Sequence, residues 1–265
     1  MYKHMEIVKN VSRWGNGAGV LLPKEWINQE VRIIFIDRTL QIKKEVFNLL
    51  EKYLSDILGI YLVGSYARGE QTGNSDIDVL VISNQLKKEI QSGKYHLSIV
   101  PLEAVKKTLD KYPLMIYPRL IEAKTIINPN LLKELKSVKI HKNSFNEFIE
   151  ETKRVIKINN EIIKLDKLEG DKLLSVDILY SLILRLRGIF MIKLMLNNKK
   201  YSNKEFKKCL TKNTSDLEYD KVYNVYTEIK NDKQPKIDIK LSVAEQLLDL
   251  IKKEIKNLGK KEDDK

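Results

Sequence analysis

The chain has one cysteine, Cys209, in 265 residues. No disulfide can form within it, and such usage suits a reducing, cytoplasmic compartment. Long apolar runs are also missing. The most hydrophobic stretch, Ile178 to Leu196, is interrupted by Arg185, Arg187 and Lys193, which fits a buried amphipathic helix and not a membrane span. Met1 to Glu6 lacks the apolar core of a signal peptide. Acidic residues are in deficit, 36 Asp and Glu against 48 Lys and Arg, for a net charge of +12.

What is present is ample for a soluble globular protein: 43% hydrophobic and 32% charged residues, with enough length for two modest domains and a buried core. The positive excess is uneven. Residues 1–44 carry 8 basic and 4 acidic side chains, 45–138 carry 12 and 11, and 139–265 carry 28 and 21. Basic flanks around a near-neutral middle suit an RNA or DNA acceptor. A heavy excess of lysine over arginine, with abundant Ile and Asn, is equally what base-composition bias in a genome produces.

The middle segment carries the densest signal. Ile60 to Val63 reads as a strand running into a tight Gly64-Ser65 turn. A Gly/Asn-rich connection follows, and then Asp76-Ile77-Asp78-Val79-Leu80-Val81 opens a second strand. Strand side chains alternate between faces, so Asp76 and Asp78 share one face while Ile77 and Val79 point to the core. Two carboxylates so placed repel each other unless a cation lies between them. A Gly-Ser turn beside them offers backbone N–H groups to a phosphate, so the pattern points to a divalent metal and a nucleoside triphosphate. Before it, Leu40 to Leu58 has apolar residues at helical spacing, with Gly59 placed to close the helix. Ala67 to Gln71 is expected to begin a short helix.

Gly64-Ser65-Tyr66-Ala67-Arg68-Gly69 followed by Ser75-Asp76-Ile77-Asp78-Val79 resembles the signature of the DNA polymerase β-type nucleotidyltransferases, particularly the minimal ones. The resemblance implies transfer of a nucleoside monophosphate, usually AMP from ATP, to a hydroxyl acceptor with release of pyrophosphate. It implies Mg2+ or Mn2+ on Asp76 and Asp78, nucleotide contacts from Gly64 and Ser65, and Arg68 either meeting a phosphate or bracing the loop. The family also uses a third carboxylate on the next strand, here Tyr95 to Val100, and Ser98 stands in its place with His96 two residues earlier on the same face. Three explanations stay open: His96 is the base, a carboxylate from the C-terminal domain substitutes, or the enzyme is weak or inactive. Glu103 is expected to start a helix. Glu122 lies in a Glu-Ala-apolar run that resembles the opening of the family's last strand.

Upstream, Glu6 to Val11, Val20 to Leu22 and Val31 to Ile36 read as strands, Gly15-Asn16-Gly17 as a turn, and Pro23 to Trp26 as a first helical turn. The layout resembles the swapped-hairpin modules of AbrB and MazE-type proteins. That implies a homodimer and DNA contacts through basic residues such as Arg13 and Lys24. Downstream, helical patterns run over about 144–168, 172–197, 202–211, 216–231 and 241–258, with Ser202, Ser215 and Ser242 where N-caps belong. Arg187-Gly188-Ile189-Phe190-Met191 resembles the start of the Arg-x-x-x-x-His motif of HEPN ribonucleases, but no histidine follows it. Tyr180, Arg185 and Arg187 are candidates to line a cleft facing the aspartates.

The expected fold class is α+β. A small β module (1–39) precedes a polymerase β-type nucleotidyltransferase domain with a short mixed sheet (40–138), an antiparallel helical bundle (139–259) and a charged tail (260–265). A metal-dependent nucleotidyltransferase is the first functional expectation, with an RNA end, a protein hydroxyl or a small molecule as acceptor. The alternatives are an antitoxin-like dimeric DNA-binding regulator and a catalytically weak nucleotide-binding scaffold.

Overall fold

A computed structural model describes residues 7, 9, 11–33, 39–73, 75–197, 199–213, 219–230, 233, 235 and 239–259. It divides into two compact units, Met1–Lys44 and Glu45–Lys265. Among the described residues, no helix is long and apolar enough to cross a membrane.

In the first unit, β1 (Ser12–Trp14) pairs antiparallel with β2 (Gly17–Gly19) around a two-residue turn, with Trp14 opposite Gly17. Gly15 takes φ +55°, the left-handed region such a turn demands. The strand expected at Val20–Leu22 is thus three residues early, because the Gly15-Asn16 turn fixes Gly17–Gly19 as the returning arm. Lys24–Trp26 forms one turn of 3-10 helix after Pro23. Of the strands expected at Glu6–Val11 and Val31–Ile36, residues 7, 9, 11 and 31–33 are described and are not strand; the rest lie outside the described residues.

A helix, α1 (Thr39–Leu50), buries Val46 and Leu50 and passes through a 3-10 segment, Glu51–Asp56, into β3 (Ile57–Leu62). Gly59 therefore does not close the helix; it lies inside the strand, at a bulge. A Cβ at Gly59 would collide with the Tyr61 ring, so the glycine is there for close packing. The Tyr61 hydroxyl donates to the Asn128 carbonyl at 2.9 Å, and burial pushes its pKa up to about 12.

Next come α2 (Gly64–Arg68), β4 (Ile77–Ser83), β5 (Lys88–Ser92), β6 (Tyr95–Pro101), α3 (Leu102–Lys111), α4 (Pro113–Glu122), β7 (Lys124–Ile127) and α5 (Pro129–Lys136). The five strands order as β5-β6-β4-β3-β7, with β4 and β6 parallel and the other neighbours antiparallel. This is a mixed sheet in an α+β fold. Ile60, Leu62, Val79, Val81, Leu97 and Ile99 are buried on one face, and Tyr61, Leu80 and Ile82 on the other. The second face joins a core continuous with the C-terminal helices. Both faces being covered explains why β4 reads as a nearly unbroken apolar run after Asp78. Glu103 does sit in the first turn of α3.

The helical half follows its sequence pattern closely: α6 (Asn146–Glu169), α7 (Val176–Leu196), α8 (Asn203–Asn213), α9 (Tyr219–Lys230) and α10 (Leu241–Gly259). Buried Thr152, Ile156, Asn159, Ile163 and Asp166 form a stripe on α6 at spacings of three and four. Asp166 accepts from the Leu174 and Ser175 amides at 2.9 and 3.0 Å, which secures the approach to α7. Ser202 is a cap, its hydroxyl 3.5 Å from the Glu205 amide. Ser242 is not, because a bridge between Lys172 and Lys240 ends the extended chain two residues earlier and α10 already begins at Leu241. The expected Ser215 cap and the 260–265 tail lie outside the described residues.

Candidate active site

The sheet register assembles the first group of polar side chains. In the parallel β4–β6 pair Asp78 lies directly opposite His96 and Leu80 opposite Ser98; in the antiparallel β5–β6 pair Glu89 lies opposite Ser98. Cross-strand partners share a face, so Asp78, His96, Ser98 and Glu89 form one polar group where the apolar rows stop. His96 Nδ1 is 3.5 Å from Asp78 Oδ1, and its Nε2 is 3.1 Å from Glu89 Oε2. The Ser98 hydroxyl, buried, donates to Glu89 Oε1 at 2.7 Å. Asp76 is exposed just before β4 begins.

The second group is built on the turn after β3. Gly64 has φ +70°, and a Cβ there would collide with Asp78 Oδ2. Only glycine meets both demands. The Val63 amide donates to the Asp78 carbonyl at 2.9 Å, tying turn to strand. The short helix begins at Gly64 itself, three residues before the expected Ala67. The Gly64 amide donates to Glu122 Oε1 at 2.7 Å. The Ser65 hydroxyl, by contrast, bonds no protein group among the described residues.

Arg68 braces the loop. Its Nη1 donates to Glu122 Oε2 at 2.6 Å and its Nε to Glu70 Oε2 at 3.0 Å, with its guanidinium 5.5 Å from the centre of the Tyr201 ring. Burial works to lower its pKa, but Glu122 and then Glu70 outweigh that and raise it. Accepting from the neutral Gly64 amide on one oxygen and the Arg68 guanidinium on the other, Glu122 ties the end of α4 to the start of α2.

The family model for the nucleotidyltransferase domain matches residues 43–179, just over half of the chain. The chain belongs to the nucleotidyltransferase domain family. Two Methanocaldococcus jannaschii relatives bear protein-adenylyltransferase names. One is 33% identical over 111 residues, covering 40% of this chain and 75% of its own. The other is 36% identical over 102 residues, covering 37% and 93%. Solved structures with partial likeness include a nucleotidyltransferase-like protein from Exiguobacterium sibiricum (12% identity, 82% of this chain and 75% of that one, TM-score 0.38). Another is a spectinomycin adenyltransferase from Enterococcus faecialis with ATP and spectinomycin (14%, 82% and 99%, TM-score 0.42). At those scores neither likeness bears on what this chain does.

In this nucleotidyltransferase domain the expected residues divide. Gly64, Asp78, His96 and Ser98 are brought together, Ser65 and Arg68 follow Gly64 on the same short helix, and Asp76 sits at the rim. Arg13 and Lys24 belong to the other unit and are exposed, Arg13 Nε donating to its own turn at the Gly15 carbonyl, 3.2 Å away. Arg185 is held by Glu151 in a two-pronged ion pair at 2.9 and 3.0 Å. Arg187 lies over Tyr201 and donates to the Tyr226 hydroxyl at 3.3 Å. Both are thus engaged within the helices.

Among the described residues, no group of three or more His, Cys, Asp or Glu gathers closely enough to hold a metal alone. Asp76 and Asp78 are hard oxygen donors that fit Mg2+ or Mn2+, cations that commonly take one or two carboxylates from protein and the rest from phosphate and water.

Two carboxylates that matter here, Glu89 and Glu70, were not singled out by sequence reasoning. A signal for Glu89 exists: Ser92-Gly93-Lys94-Tyr95 is a hairpin turn between two alternating runs, with Gly93 at φ +53°. No local signal exists for Glu70, whose partners are the Ser202 hydroxyl (2.7 Å) and the Asn203 amide (3.1 Å), more than 130 residues away. Burial acts to raise the Glu70 pKa, yet Ser202, Arg68 and Asn203 together hold it below the usual carboxylate range. A folded-state pKa below the unfolded value contributes stability above the unfolded value, lost as pH falls through the folded one. The urea midpoint of wild type is therefore expected to exceed that of Glu70→Gln near neutral pH, with the gap closing below about pH 4. A gap independent of pH would count against this account.

Proposed function

We propose that the chain is a metal-dependent nucleotidyltransferase that moves AMP from ATP to a hydroxyl, releasing pyrophosphate. The observation that carries this reading is the contact of Asp78 with Gly64, which makes the acidic strand and the Gly-Ser turn one continuous surface. The acceptor oxygen attacks the α-phosphorus, the bond to the departing pyrophosphate breaks, and the acceptor's proton passes to solvent water. Asp76 and Asp78 would hold a divalent cation, which supplies neutralisation of the phosphate charge when bound. Ser65, whose hydroxyl has no protein partner among the described residues, would donate to a phosphate oxygen. Gly64 admits the Asp78 carboxylate at close range, and Glu122 and Arg68 hold the turn in that shape. The names of the two archaeal relatives favour a protein side-chain hydroxyl as acceptor over an RNA end or a small molecule.

The test is a transfer assay with the full chain, a mixture of cellular proteins and RNA, and ATP labelled at either the α- or the γ-phosphate. Label from the α- but not the γ-position is expected on protein, with none in the Asp76→Asn variant. Transfer undiminished by Asp76→Asn, or no transfer to any acceptor, would overturn the reading.

A further inference from the structure

The residue at the family's third carboxylate position is Ser98, and the structure gives this serine a task. Its hydroxyl fixes Glu89 Oε1 at 2.7 Å, leaving Oε2 3.1 Å from His96 Nε2, while His96 Nδ1 faces Asp78 Oδ1 at 3.5 Å. Four residues on three adjacent strands thus form one chain of contacts ending at the carboxylate expected to hold metal. Its members are not equally solvated: side-chain exposure is 36% for Asp78, 41% for His96 and 62% for Glu89.

The spacing is informative. Two donor atoms bound to one divalent cation at bond lengths of about 2.1 Å stand about 3.0 Å apart at a right angle and about 3.4 Å apart at a tetrahedral one. The 3.5 Å between Asp78 Oδ1 and His96 Nδ1 matches a pair of ligands. The far side of the ring fits as well, because a metal-bound imidazole commonly gives its other N–H to a carboxylate, which fixes tautomer and orientation. Glu89 is that carboxylate, and Ser98 holds it in place.

We propose that His96 Nδ1 is a metal ligand beside Asp78, oriented by Glu89 and Ser98, and that the site selects Mn2+ or Co2+ over Mg2+. This inference rests on the nucleotidyltransferase reading above. The selectivity follows from ligand chemistry: Mg2+ is served best by oxygen donors and near-ideal octahedra, whereas a nitrogen ligand strengthens binding of first-row transition ions. Replacement of a carboxylate position by serine then trades one ligand type for another, with the imidazole supplied two residues earlier. Glu89 and Ser98 are positioning residues in this scheme, since neither touches the cation.

The experiment uses the full chain with Mn2+ and the non-transferable analogue α,β-methylene-ATP. Pulsed electron spin-echo spectroscopy reads nitrogen coupling to Mn2+, and calorimetry reads affinity for Mn2+ and Mg2+. Wild type is expected to show imidazole-nitrogen modulation that disappears in both His96→Ala and His96→Asn. Mn2+ affinity should fall roughly tenfold or more in these variants and in Glu89→Gln, with Mg2+ affinity changing by less than about threefold. Mn2+ bound without imidazole modulation in wild type, or parallel losses for both ions in the His96 variants, would overturn the inference and leave the nucleotidyltransferase reading intact. No Mn2+ or Mg2+ binding with the analogue present would bring down both.

Discussion

Asp78→Asn is expected to lower nucleotidyl transfer by roughly a thousandfold or more while leaving the fold intact. The side chain is partly solvated, and its substitution by an isosteric amide keeps the Gly64 contact without adding volume. The β4 backbone is held by pairing on both sides, and the apolar residues that follow carry the packing. What disappears is the negative charge next to the turn. A melting temperature within about 2 °C of wild type, combined with loss of label transfer, would separate a chemical role from a structural one. Transfer within tenfold of wild type would remove Asp78 from the mechanism.

Glu122→Ala has the largest expected effect on stability. The side chains of Glu122 and Arg68 are only 8% and 13% exposed, so solvent screens their pair little. Alanine leaves the Gly64 amide without its acceptor and Arg68 with Glu70 alone. Losing one member of a buried charged pair costs about 3 kcal/mol or more, which for a unit of this size corresponds to a drop in Tm of roughly 6–12 °C. Glu122→Gln should fall between, because its carbonyl still accepts from Gly64 but presents no charge to Arg68. A Glu122→Ala protein that melts with wild type would show that the brace is dispensable.

The parts of this fold that sequence made legible are those with local periodicity. The five long C-terminal helices carry apolar residues every three or four positions, and their bounds fall close to where the spacing puts them. The turn at Gly64-Ser65 and the strand that follows Asp76 were readable because both patterns are compact in sequence. Gly59 misled because a glycine after a helical run looks the same whether it ends a helix or admits a tyrosine ring. Gly64 was recognised, but the hydrogen bond its amide gives to Glu122, 58 residues on, has no local pattern to announce it. The partner of Ser98, Glu89, lies on the edge strand β5, which the sequence reading did not place. A cross-strand partner becomes visible only when the sheet order is known.

The latch at Glu70 has a consequence for anyone treating the two halves of the larger unit as interchangeable parts. This carboxylate is satisfied by Arg68 from its own side and by Ser202 and Asn203 from the helices. A chimera that joins the sheet to foreign helices would inherit a half-satisfied acid beside the Gly64-Ser65 turn, with Tyr201 no longer covering Arg68. Recombining the sheet half with a different helical half therefore requires carrying Tyr201-Ser202-Asn203 across the junction as well.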